Sequence, residues 1–310
     1  MSGRPLRPAT ARVPGSTSNL GAGFDCLGLA FRRYLEATFQ PEDRPLALES
    51  AGTLAGVAAS DDILLAAFRA RTAQHGLADV RGRIHARSDI PVARGLGSSA
   101  AATVAGLLLA DAALGVVSDR AELLRIATLR EGHPDNAAPA LLGGLVAVAR
   151  ALDHSPHAFP LPLSPDVGFV YAAPEVEVAT PAARAALPAQ VPHPLAGRAL
   201  GRTAALVRGL ATADPDLLRL GLLDELHVPW RLPLIPRAEA AFDAAVAAGA
   251  WGATISGSGS GLIALCPPAH AGAVLDAMER ALRADGLACV GFVAAADLAG
   301  AQVRALEAAC

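Results

Sequence analysis

The chain has 310 residues, 53% of them hydrophobic and 18% charged, with a formal charge of −3. A chain of this size buries a sizeable core, and at roughly 100–200 residues per domain it predicts two domains. The weakly acidic balance and the lack of any Lys or Arg run exclude a nucleic-acid backbone as its main partner. The longest apolar stretch, 100–110, ends at Asp111 and is well short of the roughly 20 residues that a membrane span needs. No apolar h-region follows the basic residues near the start, so neither a membrane partner nor secretion is expected and the protein is placed in the cytoplasm. Cys26, Cys266, Cys289 and Cys310 are far apart with no CxxC pair, which argues for incidental thiols over a zinc site or a disulfide framework.

In chain order, a short strand is expected over 9–13, then a loop "PGSTSNLGAGFD" and an apolar strand over 26–31. Alternation predicts strands at 34–39 and 46–50, and an Asp cap followed by helical spacing predicts a helix over 62–74. A strand at 81–87 precedes an alanine-rich helix over 99–114 and an amphipathic helix over 119–130. The phrase "EGHPDNAAPALLGG" reads as a loop with one helical turn, followed by a strand at 145–150. Four prolines within 153–165 mark a domain boundary, dividing the chain into 1–160 and 161–310. Beyond it, strands are expected at 167–171, 252–255, 262–266 and 288–294. Helices are expected from 180 to 186 and over 195–211, 215–223, 238–248 and 269–284, with a frayed tail. Strands and helices mix irregularly, without the steady alternation of a doubly wound sheet, so the fold class is α+β in both halves.

Three glycine-rich stretches carry the chemistry. The middle one, "IPVARGLGSSAAAT" from Ile90, fits G-x-G-x-x-A formally. Residues 88–94, with Pro91 among them, separate the strand from the first glycine, unlike a dinucleotide fingerprint. The lysine of a Walker loop is absent as well. What remains is the physics common to both: glycines open main-chain N–H groups to an anion, and a helix N-terminus adds the equivalent of about half a positive charge. A slim Ser-Ser-Ala-Ala-Ala start lets triphosphate lie on those amides, with Ser98 or Ser99 offering a hydroxyl to phosphate or metal. The first stretch, "VPGSTSNLGAGFDCLGLA" from Val13, sets Ser, Thr and Asn side chains and Asp25 in a loosened loop beside a strand. The third, "GATISGSGSGLIALC" from Gly252, is a Gly-Ser turn between two apolar strands whose amides approach a ligand.

In order and spacing these stretches resemble the three motifs of the GHMP small-molecule kinases, and within them the homoserine kinase branch, over essentially the full length. The branch signals are "STSNLGAGFD", "EGHPDNAAPALLGG", "ATPAARAALP" and "VPWRLPLIPR". The resemblance implies the GHMP kinase fold: an N-terminal domain like domain 2 of ribosomal protein S5 and a ferredoxin-like C-terminal domain, with ATP and substrate between them. It implies phosphorylation of the side-chain hydroxyl of L-homoserine by ATP with Mg²⁺, and a homodimer is common in the family. Carried over by motif, Pro91, Arg94, Gly95, Leu96, Gly97, Ser98, Ser99, Ala100 and Ala101 form the nucleotide loop, and Ser98 and Glu131 hold the metal. Asn19, Asp25, His133, Asn136, Arg184 and Arg231 surround the amino acid, and Ser256, Gly257, Ser258 and Gly259 form the third motif.

These residues suit the chemistry. Phosphoryl transfer asks for positioning and charge neutralisation, and one carboxylate such as Glu131 is what a Mg²⁺ that keeps several waters takes from a protein. Arg184 and Arg231 offer the fork that carboxylates favour. Asp25 and Asn19 suit an ammonium or a hydroxyl, and His133 suits a donor to substrate. Asp25 is read as orienting the substrate, because a carboxylate near its ordinary pKa is a poor base toward an alcohol. The third motif ends Gly259-Ser260-Gly261 where the family usually has Gly-Pro-Thr. Arg237 stands where glycine is common, and Asp62 near where an asparagine often meets adenine. Two other readings remain: a GHMP kinase for a different small alcohol, and a non-catalytic nucleotide-binding paralogue.

Overall fold

The computed structural model describes residues 6–56, 62–117 and 119–306; Cys310 lies outside them. The chain opens with β1 (Ala9–Ser18), whose first half alternates between buried and half-buried side chains and whose second half is buried throughout. The expected loop from Pro14 is therefore strand as far as Ser18. It pairs with β2 (Leu27–Pro45) across a register slip, Pro14 lying opposite Tyr34 and Gly15 opposite Phe31. Arg32 and Arg33 are the residues β2 gains at that bulge. A bulge bends a strand without ending it, so the two strands expected on either side of these arginines are one.

β3 (Ala47–Gly52) is followed by α1 (Ile63–Gln74), capped by Asp62, whose carboxylate accepts the Leu65 N–H at 3.1 Å. β4 (Arg81–Ser88) then runs parallel to β3 and antiparallel to β2. α2 (Ser98–Leu114) is buried nearly all round, as its unbroken apolar run requires. α3 (Arg120–Glu131) and the short α4 (Ala137–Leu142) lead to a hairpin of β5 (Leu145–Arg150) and β6 (Pro156–Leu161). β6 forms inside the proline-rich stretch read as a boundary. It is the last strand on its side of the sheet, where prolines without an N–H to donate are tolerated.

The second half contains β7 (Gly168–Pro174), α5 (Thr180–Ala185), α6 (His193–Thr212), α7 (Pro215–Leu222), the one-turn α8 (Val228–Arg231), α9 (Ala238–Ala247), β8 (Gly252–Ile255), β9 (Leu262–Cys266), α10 (Ala271–Arg283) and β10 (Cys289–Ala294). Its four strands stand in the order β10-β7-β9-β8, all neighbours antiparallel. That is the order of a ferredoxin-like split βαβ unit. The tail does not fray at once: β11 (Gln302–Ala305) returns to pair with β1 in the first sheet, which has seven strands.

Strand period explains how the halves share a core. On β7, Phe169 and Tyr171 face the large cluster that includes Phe31, whereas Val170 and Ala172 face a second cluster under α9 and α10. α1, α2 and α3 are further held by Arg71, whose guanidinium meets Asp111 at 2.6 Å and Glu122 at 2.8 Å. No helix among the described residues is long and apolar enough to cross a membrane.

Candidate active site

The three glycine-rich stretches meet. The Ser16 N–H donates to the Leu96 carbonyl at 3.0 Å, and the Gly257 N–H to the Ser18 carbonyl at 2.9 Å. The Ser256 hydroxyl donates to the Gly95 carbonyl at 2.6 Å and lies 2.8 Å from the Thr17 hydroxyl. Two glycines are required here. Gly95 has φ +70° and a Cβ on it would lie 1.9 Å from the Ser256 carbonyl oxygen; Gly97 has φ +63° and its Cβ would lie 2.5 Å from the Ser16 hydroxyl. Side chains other than glycine rarely take this backbone conformation.

Beside the junction opens a cleft of about 1110 Å³. One end holds the start of α2. The first hydrogen bond within that helix runs from the Ala101 N–H to the Gly97 carbonyl at 2.9 Å. The N–H groups of Ser98, Ser99 and Ala100 thus have no helical acceptor, and no acidic residue occupies the first turn. Such an end is an anion site. Glu131, the last residue of α3, lines the same end. Its carboxylate accepts the Ser99 hydroxyl at 2.7 Å and the Thr103 hydroxyl at 2.6 Å. Thr103 was not among the sequence candidates, although its spacing of four from Ser99 puts both hydroxyls on one helix face. A carboxylate ringed by the hydroxyls of Ser99 and Thr103, with Ser98 on the same lining, is a set of hard oxygen donors that fits Mg²⁺ better than a softer metal.

The other end is built from charges. Arg184, at the end of α5, grips Asp25 with both terminal nitrogens at 2.9 and 3.1 Å. That hydrogen-bonded carboxylate holds the Arg184 guanidinium above its usual pKa. Asn19 is engaged at both side-chain atoms: its oxygen accepts the Asp25 N–H at 2.8 Å and its amide donates to the Gly257 carbonyl at 2.9 Å. Arg231, in the one-turn α8, is only 1% exposed. It donates to the carbonyls of Ala183 and Gly257, each at 3.2 Å, and its guanidinium lies 5.1 Å from the Phe24 ring. Among the described residues no carboxylate is close enough to form an ion pair with it. Burial, and after it the neighbouring Arg184, pull its pKa down.

His133 donates through Nδ1 to the Asp135 carboxylate at 2.7 Å. The hydrogen bond to Asp135 keeps the His133 imidazolium above the ordinary histidine range although burial opposes it. Burial would raise the Asp135 carboxyl, but hydrogen bonds from His133 and Ser18 bring it below its usual value. Asp135 lines the cleft too and is absent from the sequence candidates, because neither residue type nor spacing marks the pair it makes with His133. Asn136 braces the junction, donating to the Ser18 hydroxyl at 2.9 Å and accepting from the Ser16 hydroxyl at 3.1 Å.

Of the expected nucleotide residues, Arg94 to Ala100 line the cleft; Pro91 and Ala101 do not. Ala101 is wholly buried in the core. Asn19, His133, Asn136, Arg184 and Arg231 line it; Asp25 does not, but is paired with Arg184, which does. Gly257 and Ser258 line it, whereas Ser256 and Gly259 lie beneath. The departures have local reasons. Arg237 has φ +63°, the conformation that glycine suits best. Ser260 is buried, its hydroxyl donating to the Val176 carbonyl. A Cβ at Gly261 would lie 2.3 Å from the Arg94 carbonyl oxygen, leaving no room for threonine. Asp62 lines the cleft while capping α1.

Residues 50–144 match the family model for the GHMP kinases N terminal domain, and residues 207–284 that for the GHMP kinases C terminal domain. The chain is 42% identical over 258 residues to a homoserine kinase of Moorella thermoacetica, covering 82% of this chain and 86% of that one. It is 41% identical over 268 residues to a homoserine kinase of Thermus thermophilus, covering 86% and 90%. The crystal structure of a homoserine kinase from Cytophaga hutchinsonii superposes with a TM-score of 0.85 at 30% identity, covering 96% and 97%.

Proposed function

The chain belongs to the homoserine kinase family of the GHMP kinases, and from that premise we propose that its cleft transfers the γ-phosphoryl group of ATP to the side-chain hydroxyl of L-homoserine, a step toward threonine. The observation that carries the reading on this chain's own residues is Arg231, a buried guanidinium on the cleft lining with no carboxylate partner among the described residues. A buried charge without a paired counter-ion is costly, and a ligand carboxylate relieves it. The carboxylates of Asp25 and Asp135 stand nearby for an ammonium. Galactose has neither charge and mevalonate only the carboxylate, so neither satisfies both, which disfavours the reading as a kinase of another small alcohol. The presence of Glu131 and of the open helix end disfavours a non-catalytic paralogue.

In the transfer, the substrate hydroxyl oxygen bonds to the γ-phosphorus as the bond from that phosphorus to the bridging oxygen breaks, releasing ADP; the hydroxyl proton leaves with the phosphoryl oxygens or to water. The main-chain N–H groups of 95–100 receive the phosphates, and the start of α2 offsets their charge. Glu131, with Ser98 and the hydroxyls of Ser99 and Thr103 around it, would hold Mg²⁺, which when bound neutralises the β- and γ-phosphate oxygens. Arg231 and Arg184 fix the carboxylate. Asp25, with its backbone tied by Asn19, orients the amino acid and is not required as a base. We place the protein in the cytoplasm as a homodimer, and read 1–160 and 161–310 as its two domains, with β11 crossing back to the first.

A coupled assay of ADP release with Mg²⁺ tests the reading, with L-serine, shikimate, mevalonate and galactose as comparators. L-Homoserine is expected to be turned over with a kcat/KM at least about a hundredfold above each comparator. Turnover of a sugar or of mevalonate in preference to it contradicts the reading.

A further inference from the structure

The ion pair between Asp25 and Arg184 joins two residues that the substrate reading assigns to opposite charges of one ligand. Asp25 belongs to the loop between β1 and β2, Arg184 to the end of α5, and the fork closes both carboxylate oxygens at 2.9 and 3.1 Å. Each side chain is a little more than a third exposed, so the contact is reachable from solvent. The two partners are anchored differently. Asp25 sits at φ +52° with its N–H held by Asn19, so its backbone is anchored without Arg184. Arg184 has no other carboxylate within ion-pairing distance among the described residues. It is also the member of the pair that lines the cleft.

We propose that this ion pair is a latch that only a zwitterion opens without loss: the ligand ammonium takes the place of Arg184 on Asp25, and the ligand carboxylate takes the freed Arg184 together with Arg231. The inference rests on the function proposed above. An amino alcohol that takes Asp25 leaves Arg184 unpaired, and a hydroxy acid that takes Arg184 leaves Asp25 unpaired. Each loses an existing contact to make a new one. L-Homoserine exchanges both partners and orphans neither. Selectivity for an α-amino acid thus comes in part from an internal competitor, in addition to direct contacts.

The test uses 3-aminopropan-1-ol, which carries the ammonium and hydroxyl but no carboxylate, as an inhibitor competing with L-homoserine in the ADP-release assay. If Arg184 competes for Asp25, Arg184→Gln lowers the inhibition constant of the amino alcohol about fivefold while raising the KM for L-homoserine. Arg184→Lys keeps the positive charge but loses the fork, and is expected to lower that constant about twofold. A simple contact between Arg184 and the ligand carboxylate leaves the amino alcohol unaffected in both variants, which overturns the proposal. A fall in the Gln variant alone reports only the lost charge and overturns it too, as does failure of the amino alcohol to inhibit any variant. Turnover of L-homoserine by the unaltered protein in the same assay separates failure of the latch from failure of the proposed function.

Discussion

The two ends of the cleft are made of different materials. Apart from Glu131 and the hydroxyls around it, the phosphate end is main chain: glycines in left-handed conformations, open N–H groups at the start of α2, and carbonyls tied by the hydroxyls of Ser16 and Ser256. The amino-acid end is side chain: Asp25 with Arg184, His133 with Asp135, and Arg231 with no carboxylate partner among the described residues. Main-chain groups cannot be exchanged by substitution, only displaced by adding bulk. Charged side chains can be removed one at a time. Changes at the first end should therefore disrupt nucleotide binding through the backbone, and changes at the second should alter recognition of the amino acid with the scaffold intact.

The largest effect is expected from Gly95→Ala. The left-handed backbone alone costs about 1–2 kcal/mol, and the added Cβ meets the Ser256 carbonyl oxygen at 1.9 Å. Activity should fall to background and the melting temperature should drop. A variant with normal stability and normal KM for ATP would break the contrast between the two ends.

Next comes Glu131→Gln, which keeps shape and removes charge. Its kcat should fall about 10²–10³-fold, the usual loss when one electrostatic contributor to a transition state is removed. Higher Mg²⁺ should recover part of it in a metal titration, whereas an effect confined to the KM for L-homoserine would move Glu131 to the other end of the cleft.

A smaller effect concerns the support behind the amino-acid end. His227 is fully buried, donates through Nε2 to the Gly21 carbonyl at 3.2 Å and stacks on Phe24 at 5.1 Å; its Nδ1 has no partner among the described residues. Burial holds its pKa below the ordinary 6.5, although Asp224 opposes this. The unfolded chain then binds a proton that the folded one refuses, so stability is retained above pH 6.5 and lost as pH falls below it. The slope is bounded by about 1.4 kcal/mol per pH unit. His133, which gains protons on folding, acts in the opposite direction, so the measurement is the difference in melting curves between the protein and His227→Gln. That difference should shrink from pH 7 to pH 5; a difference independent of pH would show that folding leaves the His227 pKa unshifted, and one that grows would show that His227 is charged in the folded state.

What was legible in the sequence follows the same division. Glycine spacing marks backbone geometry directly, so the loop at 95–100 and the turn at 256–259 were readable from their residues. Side-chain partnerships depend on which groups the fold brings together. Glu131 stands out in the sequence while Thr103, which donates to it, does not, and His133 stands out while its partner Asp135 does not. Arg184 and Arg231 are indistinguishable in sequence, yet one is half-exposed and paired and the other is buried with no carboxylate beside it among the described residues. Long-range pairing explains the missed strand ends. β1 continues past Pro14 because β2 accommodates the slip with two extra residues, and the tail is strand because β1 lies beside it.

The most direct measurement is a pair of KM values, for ATP and for L-homoserine, in Arg231→Lys at saturating second substrate. Lysine keeps the charge but cannot reproduce the fork or its bonds to the Ala183 and Gly257 carbonyls. The KM for L-homoserine should rise about 10–100-fold, with that for ATP within about twofold of the unaltered protein. A rise in the KM for ATP alone, or an equal rise in both, would contradict the assignment of this end of the cleft to the amino acid.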